Sequence, residues 1–145
     1  MSAELEPFAP LLGVWRTTGA VLDERGAVTA GIVGSDTYES MPGGGWVVHR
    51  VAVRIGGEPV HALELIGEHD AAADSWAMHA FDADGSRATM QASRDGDGWL
   101  FADDDVRAHL RPAADGTSMT ATWERRSPAG WLRWMELSFL RQPRG

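Results

Sequence analysis

The sequence predicts an all-β protein: a single antiparallel meander closed into a barrel of about ten strands. Three observations predict it. Clusters of Gly, Asp and Pro recur at intervals of about ten residues from Val14 onward, the spacing of short strands joined by tight turns. The runs between them alternate apolar and polar residues with the period of two that a half-buried strand requires. No stretch carries a helical period over a dozen residues.

Taken in order, residues 1–10 read as irregular, with Pro7 and Pro10 bracketing Phe8-Ala9 and a short helical turn able to plug one barrel end with Phe8 and Leu11. Leu11-Leu12-Gly13-Val14-Trp15-Arg16 opens the first strand. Nine turn clusters follow: 23–26, 41–45, 56–59, 70–74, 82–85, 94–98, 103–105, 114–116 and 127–130. Gly, Asp and Pro dominate them because tight hairpins need a positive or a preset φ. They divide the chain into ten candidate strands, and connections this short join antiparallel neighbours. Residues 1–145 therefore read as one barrel domain, and closure removes the edges that an open sheet would expose.

Alternation assigns faces. Arg50 and Arg54 share the outer face of the third strand, so Val47, His49, Val51 and Val53 turn inward. In the fourth, Glu64 and Glu68 are read as outward, which places His61, Leu63 and Leu65 inside. The fifth strand has no preferred face. In the eighth, Arg107, His109 and Arg111 face solvent; in the ninth, Met119, Ala121 and Trp123 face in; in the tenth, Met135, Leu137 and Phe139 do. With Trp15, Tyr38 and Met90, the expected lining is aromatic and methionine-rich, with two imidazoles and a phenol.

Composition excludes several chemistries. The chain has no cysteine, hence no disulfide, thiolate metal site or thiol nucleophile. All 13 basic residues are arginines, which excludes Schiff-base chemistry and a P-loop lysine. A net charge of −8 argues against nucleic acid or an anionic membrane as partner. The acidic N-terminus does not read as a secretory signal, so cytoplasmic residence is the expectation. Five histidines occur without His-x-x-x-His or His-Glu-x-x-His spacing, so no metal site is expected. Asp82-x-Asp84-Gly85 and Asp95-x-Asp97-Gly98 lack the glutamate that completes a calcium loop and read as hairpin turns.

Gly13-x-Trp15 at the head of the first strand resembles the signature of lipocalins and the wider calycin superfamily. The resemblance implies that Trp15 packs across the closed end beneath an arginine after the last strand, a place that Arg141 occupies in this chain. The whole chain is similar to a bacterial family of lipocalin-like domains of unknown function, which open with a comparable Leu-x-Gly-x-Trp phrase and run as a ten-stranded meander. Nitrobindin-like haem barrels also open with Gly-x-Trp and hold haem through a histidine near the C-terminus. The last histidine here, His109, comes two strands too early, and no cofactor is expected.

The function expected is binding of a small apolar or amphipathic molecule inside the barrel, by His49, His61, Tyr38, Met90, Met119, Trp123, Arg133 and Met135, with Gly13, Trp15 and Arg141 closing it. Strict alternation places Arg133 on the face of Met135, where it would suit a carboxylate ligand. Two alternatives stand beside this reading. One is a small-molecule isomerase, cyclase or decarboxylase using His49, His61 and Tyr38 as acid–base groups. The other is an interaction domain whose barrel is filled by side chains. No residue is assigned a catalytic role, and a homodimer is left open.

Overall fold

The computed structural model describes residues 1–143. A 3-10 helix, Ala3–Leu11, precedes ten strands: β1 (Gly13–Leu22), β2 (Val28–Ser40), β3 (Val47–Ile55), β4 (Glu58–Asp70), β5 (Ser75–Asp82), β6 (Arg87–Asp95), β7 (Gly98–Ala102), β8 (Val106–Pro112), β9 (Ser118–Ser127) and β10 (Gly130–Arg141). Each strand pairs antiparallel with its chain neighbours, and β1 pairs with β10, so the meander closes on itself. The turn chemistry explains the short connections. Asp23 accepts backbone N–H bonds from Arg25 and Ala27, and Asp103 does so from Asp105 and Val106, the local bonding that favours aspartate at turns. Between β3 and β4, Gly56 and Gly57 both take positive φ, at 59° and 85°, as a two-residue hairpin loop of matching twist requires.

The N-terminal segment is not irregular. Its 3-10 period of three residues lines up Leu5, Phe8 and Leu11 on one face, and all three are buried in the end of the barrel. Phe8 stacks on Trp99 with centroids 4.2 Å apart and meets Trp76 edge-on at 5.2 Å. The Trp76 indole N–H donates to the Glu4 carbonyl at 2.9 Å, so the plug is held by polar as well as apolar contacts.

Register then sets the inner rows. Gly13, Tyr38, His49, Glu64, Ala80 and Ala88 stand side by side across β1–β6, and Trp15, Asp36, Val51, Ala62 and Asp82 form the adjacent row. The ninth and tenth strands turn Met119, Ala121, Trp123, Met135, Leu137 and Phe139 inward as expected, and β5 turns in Trp76 and Met78.

The fourth strand is the reverse of the expectation: Ala62, Glu64 and Ile66 face in, while His61, Leu63 and Leu65 face out. Glu64 is accommodated inside because His49 lies opposite it. On the outer face Leu65 is paired with Val48, and beside them the Trp46 ring packs over Gly67, where an added Cβ would come within 2.7 Å of it. Arg133 is also displaced. A register shift between Arg133 and Met135 breaks the alternation, and Arg133 lies exposed, paired with Glu136 at 2.8 Å.

Outward positions carry Arg16, Thr18, Arg50, Arg54, Arg107, Arg111 and Glu136, with exposed Val14, Val33, Phe81 and Leu140 among them. Among the described residues no helix is long and apolar enough to cross a membrane.

Candidate functional site

The barrel interior changes character along its axis. Next to the plug, Trp15, Val47, Ile66, Trp76, Met78, Met119 and Phe139 are buried in one packed core. Farther from it, Ile32 and Val53 are still buried, but several inward side chains are only partly covered: Val51, Ala62, Glu64 and Ala80 on one wall, Trp123, Met135 and Leu137 on the other. Two open depressions, of about 420 and 360 Å³, lie on the β3–β6 wall and share Phe81. Outward-facing residues form most of both linings, His79, Phe81, Arg87 and Thr89 in the first and Arg50, Ala52, His61 and Leu63 in the second, with Ala80, Ala88, Val51 and Ala62 contributed by the inward rows; neither includes Tyr38, His49, Glu64, Trp123 or Met135. Trp134 and Arg125 stand at this far end, with the guanidinium 5.9 Å from the indole centre and Trp123 edge-on at 6.4 Å.

At the boundary between packed and open halves sits a polar cluster. His49 Nε2 is 2.7 Å from Asp36 Oδ1, and His49 Nδ1 is 3.0 Å from Glu64 Oε1. The Thr17 hydroxyl donates to the other oxygen of Asp36. Ionised carboxylates only accept, so an imidazole with a carboxylate at each nitrogen is held as the imidazolium, donating twice. Burial pushes the His49 pKa down, but hydrogen bonds and negative charge from Asp36 and Glu64 outweigh it and raise the value from 6.5 to about 9. Both ring nitrogens are occupied, so the imidazole has no lone pair to offer a metal ion.

Tyr38 stacks flat on His49, with centroids 4.0 Å apart and planes 6° from parallel. The contact places a cation on an aromatic face. Burial, with Asp36 and Glu64 nearby, raises the Tyr38 pKa well above its usual value, so the phenol keeps its proton.

No family model matches the chain, and no curated protein matches it. Among solved structures it is similar to Rv2717c from M. tuberculosis, with 13% sequence identity, 99% of each chain covered and a TM-score of 0.71. It is also similar to a de novo designed fluorescence-activating β-barrel, at 15% identity over 98% of this chain and 100% of that one, with a TM-score of 0.49. A redesigned barrel, mFAP0, bound to DFHBI, aligns at 12% identity over 91% of this chain and 99% of that one, with a TM-score of 0.48. At 13% identity the likeness to Rv2717c is one of fold.

The structure divides the residues singled out from sequence. Tyr38 and His49 meet in the polar cluster. Met90 and Met119 point inward but are buried in the packed half, whereas Trp123 and Met135 reach the open half. His61 and Arg133 lie outside the barrel, for the reasons of register given above. At the closed end, Arg141 holds its guanidinium 4.2 Å from the centre of the Trp15 ring, and a Cβ on Gly13 would lie 2.6 Å from Arg141 Nη1. Sequence reasoning missed Asp36 and Glu64. The signal was the two-glycine turn: with Ile55 opposite Glu58, counting back sets His49 opposite Glu64.

Proposed function

We propose that the barrel binds one small amphipathic molecule, its apolar body against Trp123, Met135 and Leu137 and its polar end toward His49. The observation that carries this reading is the partial exposure of inward Val51, Glu64, Ala80, Trp123, Met135 and Leu137 in the open half. A barrel filled by its own side chains would bury them as completely as the packed half buries Trp15 and Met119. The mixture of a flexible methionine, an indole and a small set of polar groups suits such a site. The calycin type of barrel and a cytoplasmic location belong to the same proposal; the exposed arginines of the outer wall support its facing water.

The acid–base reading has less support. His61 is on the outer face, His49 is engaged at both nitrogens, and Tyr38 keeps its proton, so the three do not form a proton relay.

The neutral dye Nile red tests the reading. It should bind near one per chain, and Ala80→Trp, which adds bulk to an inward row, should abolish binding while the far-UV circular dichroism is unchanged. His61→Trp, on the outer face, should leave binding intact. A folded Ala80→Trp protein that binds the dye like the parent overturns the proposal.

A further inference from the structure

We propose that the ligand taken by this interior carries a cationic head, a protonated amine seated between Glu64 and Tyr38, and is not a fatty acid. The inference rests on the interior-binding reading above and specifies its chemistry.

The cluster leaves two polar atoms unused. Asp36 is bonded at both oxygens, by His49 and Thr17, and both His49 nitrogens are taken. Glu64 uses Oε1 alone; its second oxygen has no partner among the described residues and is not sealed from open space. Tyr38 is 4% exposed, its hydroxyl makes no hydrogen bond among the described residues, and no fully buried side-chain polar atom is left unpaired. The phenol oxygen is therefore not fully sealed from open space, and it lies beside the imidazole on which its ring is stacked. A ligand meets one carboxylate acceptor and one hydroxyl, which calls for a donor-rich head.

Charge points the same way. Two carboxylates around one imidazolium leave the cluster with a single net negative charge, in surroundings where charges are weakly screened. Among the described residues the arginines at inward register positions are Arg94, Arg125 and Arg141. Arg94 pairs with Asp74 at the closed end, Arg141 is bound to the plug, and Arg125 stands exposed by Trp134. None is placed to neutralise a carboxylate ligand beside Glu64. Asp82, at an inward position of the neighbouring row, adds further negative charge toward the rim.

Displacement of Nile red by decylamine, decanol and decanoate separates the possibilities, because the three share one chain and differ in head group. The amine should bind at least about tenfold more tightly than decanoate, with decanol between. Glu64→Gln should bring the amine to within about threefold of decanol while decanol binding is unchanged. Tyr38→Phe, which removes a hydroxyl with no protein partner, should keep the fold and weaken the amine several-fold, which keeps the test decisive if Glu64→Gln does not fold. Decanoate binding as tightly as decylamine, failure of decylamine to displace bound dye, or an amine preference untouched in a folded Glu64→Gln or Tyr38→Phe protein would overturn the inference. Decanol displacing as well as the amine overturns the head-group inference and leaves interior binding standing. Absence of any Nile red binding overturns interior binding itself.

Discussion

Arg141 lies across the face of Trp15, 4.2 Å from the ring centre, while its guanidinium donates to the carbonyls of Leu12 at 2.6 Å, Pro10 at 2.8 Å and Gly116 at 2.8 Å. One side chain thus joins the last strand to the plug, to the first strand and to the β8–β9 turn. The Trp15 indole N–H completes the junction by donating to the Leu11 carbonyl at 2.9 Å. A cyclic sheet has one seam where the chain ends must meet, and here that seam is covered by a cation–π contact and four hydrogen bonds.

Trp15→Ala should therefore cost about 3–5 kcal/mol in denaturant melts, the range for large buried aromatics. Arg141→Lys should also destabilise, because an ammonium reproduces neither the stacking nor the three-carbonyl fork. A loss below about 0.5 kcal/mol for Arg141→Lys, the size of a neutral surface change, would mean that the seam does not depend on the guanidinium.

Gly13→Ala should destabilise by about 1–3 kcal/mol, since a φ of 134° is strained for any side chain and the added Cβ would come within 2.6 Å of Arg141 Nη1. Gly31→Ala supplies the comparison. Gly31 lies in β2 with nothing within 4 Å of an added Cβ, and its substitution should be neutral or slightly stabilising. Equal melting temperatures for the two variants would remove the role assigned to Gly13.

Phe8→Ala should cost about 3–5 kcal/mol as well, because the ring is fully buried between Trp76 and Trp99. Opening the plug lets water reach these two indoles, so the native-state tryptophan emission should shift to the red. An unshifted spectrum in a destabilised Phe8→Ala protein would mean that the barrel end closes without the plug.

Strand number and closure were legible because turn chemistry is a feature that tertiary context does not override, and the Trp15–Arg141 seam was legible only through the resemblance that Gly13-x-Trp15 carries. Residues 1–10 were read as irregular, and the spacing of Leu5, Phe8 and Leu11 by three, the mark of a 3-10 face, was passed over. The fourth strand was misread because charge was taken as a sign of solvent. Glu64 lies inside since a partner meets it there, and polarity alone does not distinguish a solvated carboxylate from a paired one. Loop length was the better guide, for a two-residue turn couples the faces of its strands without regard to polarity. The bulge that turns Arg133 outward has no such marker; it inserts one residue into a run, Trp131-Leu132-Arg133-Trp134-Met135, in which several apolar residues fit either face.

The stability of the cluster depends on pH. His49 has an ordinary pKa of 6.5 and is raised to about 9 in the fold, although burial opposes this, because Asp36 and Glu64 both accept from its ring. A group whose pKa is higher folded than unfolded binds its proton more tightly in the native state, so its contribution is complete below about 6.5 and is lost as pH rises through about 9. The gap corresponds to a contribution on the order of 3 kcal/mol. Unfolding free energy should accordingly fall between pH 6.5 and about 9 in the parent, and His49→Gln should be less stable at pH 6.5 yet lack this fall. Nuclear magnetic resonance titration should find one of the five imidazoles with a midpoint near 9, and Glu64→Gln should lower that midpoint by removing one of its two charged acceptors. Parallel pH profiles for the parent and His49→Gln, or a His49 midpoint indifferent to Glu64→Gln, would mean that the imidazole is not held as a cation between the two carboxylates, and the charge argument for an amine ligand would lose its basis.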